Sequence, residues 1–190
     1  MLQSITTAYD REVAGGKLMI ARKSSRTDPE ILEMPAQRMA AVYAKGTPGQ
    51  IFPKVLPDLY SAVYTLKFDL KKSGQPTFKI SGLRARYPDA HLVPVNEWTN
   101  VVGLPIPEDT TSLPQKVGGA EVRLETWEYG TVAQILHLGE YSQETTSVER
   151  LHRFIIDNSY TIIGVHEEEY LTRPGSKTQK TIIRYRVMKK

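Results

Sequence analysis

Two stretches in opposite halves of the chain share one pattern. Met39-Ala40-Ala41-Val42 is followed by Gly46, and Val132-Ala133-Gln134-Ile135 by Gly139, with the same spacing from alanine to glycine. In each half a helical segment comes next, and further strand-like segments after it. A repeated order of elements constrains a fold more than any single motif, because each unit must find cover for its apolar face. Two β-α-β units of this kind predict an α+β fold with one antiparallel sheet, both helices on one face and the other face free as a ligand pocket. The pseudo-repeats run over about 31–108 and 120–190, and residues 1–30, polar and without periodicity, read as an N-terminal arm.

The elements within each half follow from local pattern. Ile31 to Val42 reads as strand broken near Pro35, and Lys45-Gly-Thr-Pro-Gly49 as a turn. Leu56, Leu59, Val63, Leu66 and Leu70 recur at helical spacing, with Pro57 in the first turn and Ser73-Gly74 as the stop. Phe78–Ile80, His91–Val95 and Thr99–Ile106 favour strands, and Glu108 to Gly119 is a linker by composition. In the second half Glu128-Tyr-Gly130 predicts a hairpin turn. Val148, Leu151, Phe154 and Ile155 predict a second helix, with Thr146 and Glu149 as a capping box and Asn158 as its end. Strands at Val165–Leu171 and Lys180–Met188 flank a loop at Pro174-Gly175.

Composition removes several classes of function. There is no cysteine among the 190 residues, hence no disulfide framework, thiolate nucleophile or thiolate zinc site. The four histidines are scattered without HExxH spacing, so neither a metal site nor any other cofactor is expected. A net charge of +4, spread along the chain, gives no basic reader element for nucleic acid. Without a long apolar run, no membrane partner is expected, and the default location is cytoplasmic.

Val165-His-Glu-Glu-Glu-Tyr-Leu171 is the anomaly, since three adjacent carboxylates repel and suit strands poorly. Alternation puts His166, Glu168 and Tyr170 on one face and Glu167 and Glu169 on the other. Glu167 and Glu169 are expected at an exposed strand end, solvated. His137 is expected in a structural role near the entry of the second helix.

Together these motifs resemble a known family. His137-Leu-Gly139-Glu-Tyr141, a helix with Leu151 and Phe154, Asn158-Ser-Tyr160, Glu168-Glu-Tyr170-Leu171 and Thr181-Ile-Ile-Arg-Tyr-Arg-Val187 follow in the order of GyrI-like (gyrase-inhibitor-like) small-molecule-binding domains. The first half, with Gly46-Thr-Pro48, Leu59 to Phe68 and Trp98 leading to Gly103-Leu-Pro-Ile-Pro107, resembles the stand-alone branch related to effector domains of MerR-family regulators. The resemblance spans about residues 30 to 188. Two positions depart from the pattern: Ser159 stands where glycine is common, and Glu169 where an apolar residue is common.

The resemblance implies a pocket between the two halves with Glu168 at its centre and Tyr170 beside it, and Trp98, Trp127, Tyr64 and Tyr141 as candidate aromatic walls. It implies binding of hydrophobic, aromatic or cationic compounds, with Glu168 as counter-charge. As the alternative to binding, it implies hydrolysis of cyclopropane-bearing genotoxic natural products, with Glu168 and Tyr170 as catalytic residues. A gyrase-modulating role ranks third. About 30 residues before the domain are too few for a DNA-binding module, so a stand-alone binder, monomer or homodimer, is expected.

Overall fold

The computed structural model describes residues 27–173 and 175–190, so most of the expected arm, and Pro174 of the predicted loop, lie outside the described residues. In chain order the elements are β1 (Glu30–Met34), β2 (Gln37–Lys45), α1 (Pro48–Lys72), β3 (Leu83–Tyr87), β4 (Thr99–Pro105), β5 (Arg123–Trp127), β6 (Gly130–Leu138), α2 (Thr145–Asp157), β7 (Tyr160–Ile162), β8 (His166–Tyr170) and β9 (Lys180–Lys189). All pairings are antiparallel, in the order β1-β6-β9-β8-β3-β4-β2-β5, with β7 also on β9. No described helix is long and apolar enough to cross a membrane.

The expected pseudo-repeat is visible in this order. β2-α1-β3-β4 and β6-α2-β8-β9 have the same connectivity, and β3 and β8 meet at the centre. Gly46 and Gly139 occupy equivalent places after β2 and β6, both at positive φ (129° and 143°). A side chain there would be strained, which explains the glycine in each half.

The sheet curls until its ends meet. β1 pairs with β6 and β2 with β5 in one register, from Glu30 opposite Gln134 to Ala41 opposite Arg123, without a slip at the intervening bends. The two bends, Pro35-Ala36 and Glu128-Tyr129, therefore sit side by side in a single long ribbon. Glu128-Tyr-Gly130 thus does not make the predicted hairpin: β5 and β6 do not pair with each other, and Gly130 (φ 66°) carries the chain around a corner.

Both helices pack on the outer, convex face. Under α1 lies a core of Ala40, Val42, Leu59, Val63, Val102 and Leu104; under α2 one of Ala133, Ile135, Leu151, Ile155 and Ile183. Leu59 and Leu151 are fully buried, each contributing roughly 1.5–3 kcal/mol of apolar transfer. A third cluster, Met39, Ala41, Val101, Trp127, Tyr129 and Val132, fills part of the inside of the curl.

Several local expectations are corrected. α1 begins at Pro48, so Pro53 and Pro57 are interior; both are exposed, on the side where the carbonyls they free can be hydrated. The Thr146–Glu149 capping box does not form: the residue before α2 is Glu144, with no side-chain cap, and a 3-10 turn over Tyr141–Gln143 leads into it. Phe78–Ile80 and His91–Val95 form no strand, whereas Leu83–Tyr87 does.

Candidate ligand cleft

In β8, His166, Glu168 and Tyr170 face the helices, and Glu167 and Glu169 face the inside of the curl. The partner residues fix this parity, because Ala85 and Ile183 stand beside Glu168 while Arg84 and Arg184 flank Glu169 and Glu167. The sheet face opposite the helices does carry cavities, of about 370 and 380 Å³. Glu168 and Tyr170 lie instead on the helix face, where the two halves meet.

There Glu168 is buried, 8% exposed. Its Oε1 lies 3.0 Å from His166 Nε2, and His166 Nδ1 lies 2.6 Å from the Tyr185 hydroxyl. Tyr170 shares a 2.8 Å hydroxyl contact with Tyr87. Tyr141 meets the Tyr170 ring edge-on at 5.4 Å, Phe52 of α1 does so at 6.1 Å, and Trp98 packs on Tyr87 at 5.4 Å. Tyr141 and Phe52 thus close over Tyr170, and Tyr141, on its short turn, is 39% exposed.

A second carboxylate completes the cluster. Glu144, at the entry to α2, is pushed up to about 8, first by burial, then by the Glu168 charge and a hydrogen bond with it. Its Oε1 is buried without a partner, as is Nε2 of the neighbouring His152. Burial and then His166 lower the His152 imidazole. Burial also drives the Tyr87 and Tyr170 phenols well above their usual range, so both stay neutral donors. One donor atom from each of Glu144, His166 and Glu168 lies within 4.8 Å of the other two, the one such group among the described residues that could hold a cation.

Of the residues expected at the site, the structure brings together Glu168, Tyr170, Tyr141 and, through Tyr87, Trp98. It does not bring Trp127 or Tyr64 to them. Trp127 lies inside the curl beneath Arg86, its ring centroid 3.9 Å from the guanidinium carbon. Tyr64 is 44% exposed on α1, stacked between Tyr60 and Phe68. His137 is buried near the entry of α2, its Nδ1 2.9 Å from Ser147 Oγ and its Nε2 3.1 Å from the Glu140 carbonyl. Sequence reasoning missed Glu144, Tyr87, Tyr185 and Phe52. For Tyr87 and Tyr185 the signal was present, in the alternations of Leu83-Arg-Ala-Arg-Tyr87 and Arg184-Tyr-Arg186.

Glu167 and Glu169 are not solvated, contrary to expectation. Glu167 is 3% exposed and accepts from Arg86 Nε (2.7 Å), Arg184 Nη1 (2.7 Å) and the Tyr129 hydroxyl (3.0 Å). Glu169 accepts from Arg184 Nη2 at 3.1 Å and lies 3.4 Å from Arg84 Nε. The three glutamates are therefore divided between two faces, one on the helix face among tyrosines and two in an arginine lattice.

Similar structures share this architecture. An uncharacterized conserved protein from Listeria innocua superposes with a TM-score of 0.76 at 22% identity, covering 87% of this chain and 94% of that one. A hydrolase from Listeria innocua gives 0.73 at 21% identity over the same shares. The EcmrR C-terminal domain gives 0.57 at 13% identity, covering 86% of this chain and 99% of that domain. At these identities the likeness establishes the fold. No curated protein matches the sequence. The GyrI-like small molecule binding domain pattern matches residues 27–188, so the chain belongs to the GyrI-like family.

Proposed function

We propose that the cleft between α1 and α2 binds a flat, cationic small molecule, with Glu168 and Glu144 as counter-charges. The observation that carries this reading is a carboxylate pair, buried Glu168 and half-buried Glu144, beside the rings of Tyr87, Tyr141 and Tyr170. Two carboxylates in an apolar surround favour either a shared proton or a cation, and aromatic faces add cation–π attraction. Tyr141, exposed and on a short turn after Gly139, is the side chain that must swing aside for entry.

A planar cationic dye such as ethidium tests this by fluorescence titration. Glu168→Gln is expected to weaken the dye about tenfold or more, as loss of a charged partner does. Glu169→Gln should leave dye affinity unchanged, since its side chain is on the other face. Equal affinity of Glu168→Gln and the parent protein would overturn the reading.

A second reading, hydrolysis of a cyclopropane-bearing compound, is favoured by the Tyr185–His166–Glu168 chain. It holds Glu168 as a base is held for removing a proton from water. The hydroxide would attack a ring carbon while the carbon–carbon bond breaks, and its electron pair would pass to the electron-withdrawing part of the ligand. Mass analysis of the mixture separates the two readings: a hydrolysed compound gains the mass of one water, a bound one is recovered unchanged.

A further inference from the structure

On the side of the sheet away from the helices, a cavity of about 370 Å³ opens among Arg86, Arg184, Arg186, Tyr129, Ile163 and Val165. Its electrostatics are the reverse of the cleft's. Four guanidiniums project into the curl, from Arg84, Arg86, Arg184 and Arg186, against the carboxylates of Glu167 and Glu169 and, beyond Trp127, that of Glu125, which accepts from Trp127 Nε1 at 3.1 Å. Glu128 adds a carboxylate at the rim, but it is exposed. Arg184 is saturated, bonding Glu167, Glu169 and Gln134 through its three nitrogens. Arg84 bonds Gln37 and Tyr129 through Nη1, faces Glu169 from Nε without a hydrogen bond, and lines the other cavity.

Arg86 and Arg186 are different. Arg86 uses Nε on Glu167, and its head lies over the Trp127 ring. Arg186 uses Nε on the Tyr129 carbonyl at 2.9 Å, and among the described residues no carboxylate pairs with it. The terminal nitrogens of both, the fork that grips planar anions, are left to the cavity.

The backbone builds this site. β7 and β8 lie along the same edge of β9, but the register slips between Ile162 opposite Val187 and Glu167 opposite Arg184, so residues 163–165 bulge. Gly164 lets the bulge press onto Arg186: a Cβ there would stand 2.6 Å from the Arg186 Cβ. The Arg186 stem is thereby held under the bulge, and exposed Ile163 and Val165 form an apolar lip.

We propose that this cavity is a second binding site, for a small organic anion whose phosphate or carboxylate head meets Arg86 and Arg186 and whose apolar part rests on Ile163 and Val165. The probes are phenyl phosphate and inorganic phosphate, titrated calorimetrically at constant ionic strength so that screening does not change. Phenyl phosphate is expected to bind saturably at one site, more tightly than inorganic phosphate. Arg186→Gln should weaken it about tenfold or more, the equivalent of one lost charged hydrogen bond. Ethidium, the cleft probe, should be unaffected by Arg186→Gln and should not compete. A failure of ethidium alone would sink the cleft reading and leave this one standing. Absence of saturable phosphate binding, unchanged affinity in Arg186→Gln, or competition with ethidium overturns the second site. Should Arg186→Gln fail to fold by circular dichroism, Arg186→Lys decides. It keeps the charge but loses the fork, and undiminished phenyl phosphate binding would then count against the proposal.

Discussion

Between about pH 4.5 and 8, Glu144 holds a proton in the folded protein that the unfolded chain has already lost. The unfolded state binds fewer protons in that window, so stability is fullest below it, falls as pH rises through it and levels above it. The slope should stay below the ~1.4 kcal/mol per pH unit of one whole proton, because water still reaches this half-buried side chain. Urea midpoints measured against pH should therefore decline towards pH 8 in the parent protein, and Glu144→Gln should flatten that decline. Cation affinity runs the other way, since a ligand that displaces the proton binds better as pH rises towards 8. Sequence alternation put Glu168 and Tyr170 on one face and Glu167 and Glu169 on the other. It could not supply Glu144, which reaches Glu168 only because α2 starts where β6 delivers it. Nor could it show that the second face of β8 meets arginines, although Arg-x-Arg in two other strands held the complementary period.

The end of α2 shows how an element can resist its own sequence. Asn158 caps it, its Nδ2 2.8 Å from the Phe154 carbonyl, and Ser159 follows at φ 63°, the left-handed conformation. Among the described residues Ser159 is the one non-glycine residue with positive φ, and glycine is the residue that adopts this conformation without steric cost. Ser159→Gly is expected to raise stability by about 1 kcal/mol, read as a higher thermal or urea midpoint. The helix periodicities were legible because long apolar stripes leave few alternatives. α1 was read eight residues short because Pro53 and Pro57 look like boundaries when solvent exposure cannot be known. β3 was not singled out, although Leu83, Ala85 and Tyr87 alternate with Arg84 and Arg86 as a strand requires.

At the scale of the whole molecule, the arginine lattice joins strands from both halves. Glu167 alone receives groups from β3, β9 and the corner before β6. Removing its charge leaves buried guanidiniums unbalanced, so Glu167→Gln should lower stability by about 3–5 kcal/mol in chemical denaturation. It should do so without a separate early transition, because the network spans the seam between halves. The overall α+β plan was legible from the repeated order of elements. The closure of the sheet was not, since it depends on two bends falling opposite each other, which no local pattern encodes. That closure bears on how the protein is made. β9, drawn from Lys180–Lys189, lies between β6 and β8, and the ribbon that shuts the curl joins residues 30–45 to residues 123–138. As the chain leaves the ribosome, β2, β4 and β3 can assemble early. β6 and β8 wait with bare edges until Lys180–Lys189 emerge. The nascent second half is therefore the stretch most in need of protection from a neighbouring copy on the same messenger.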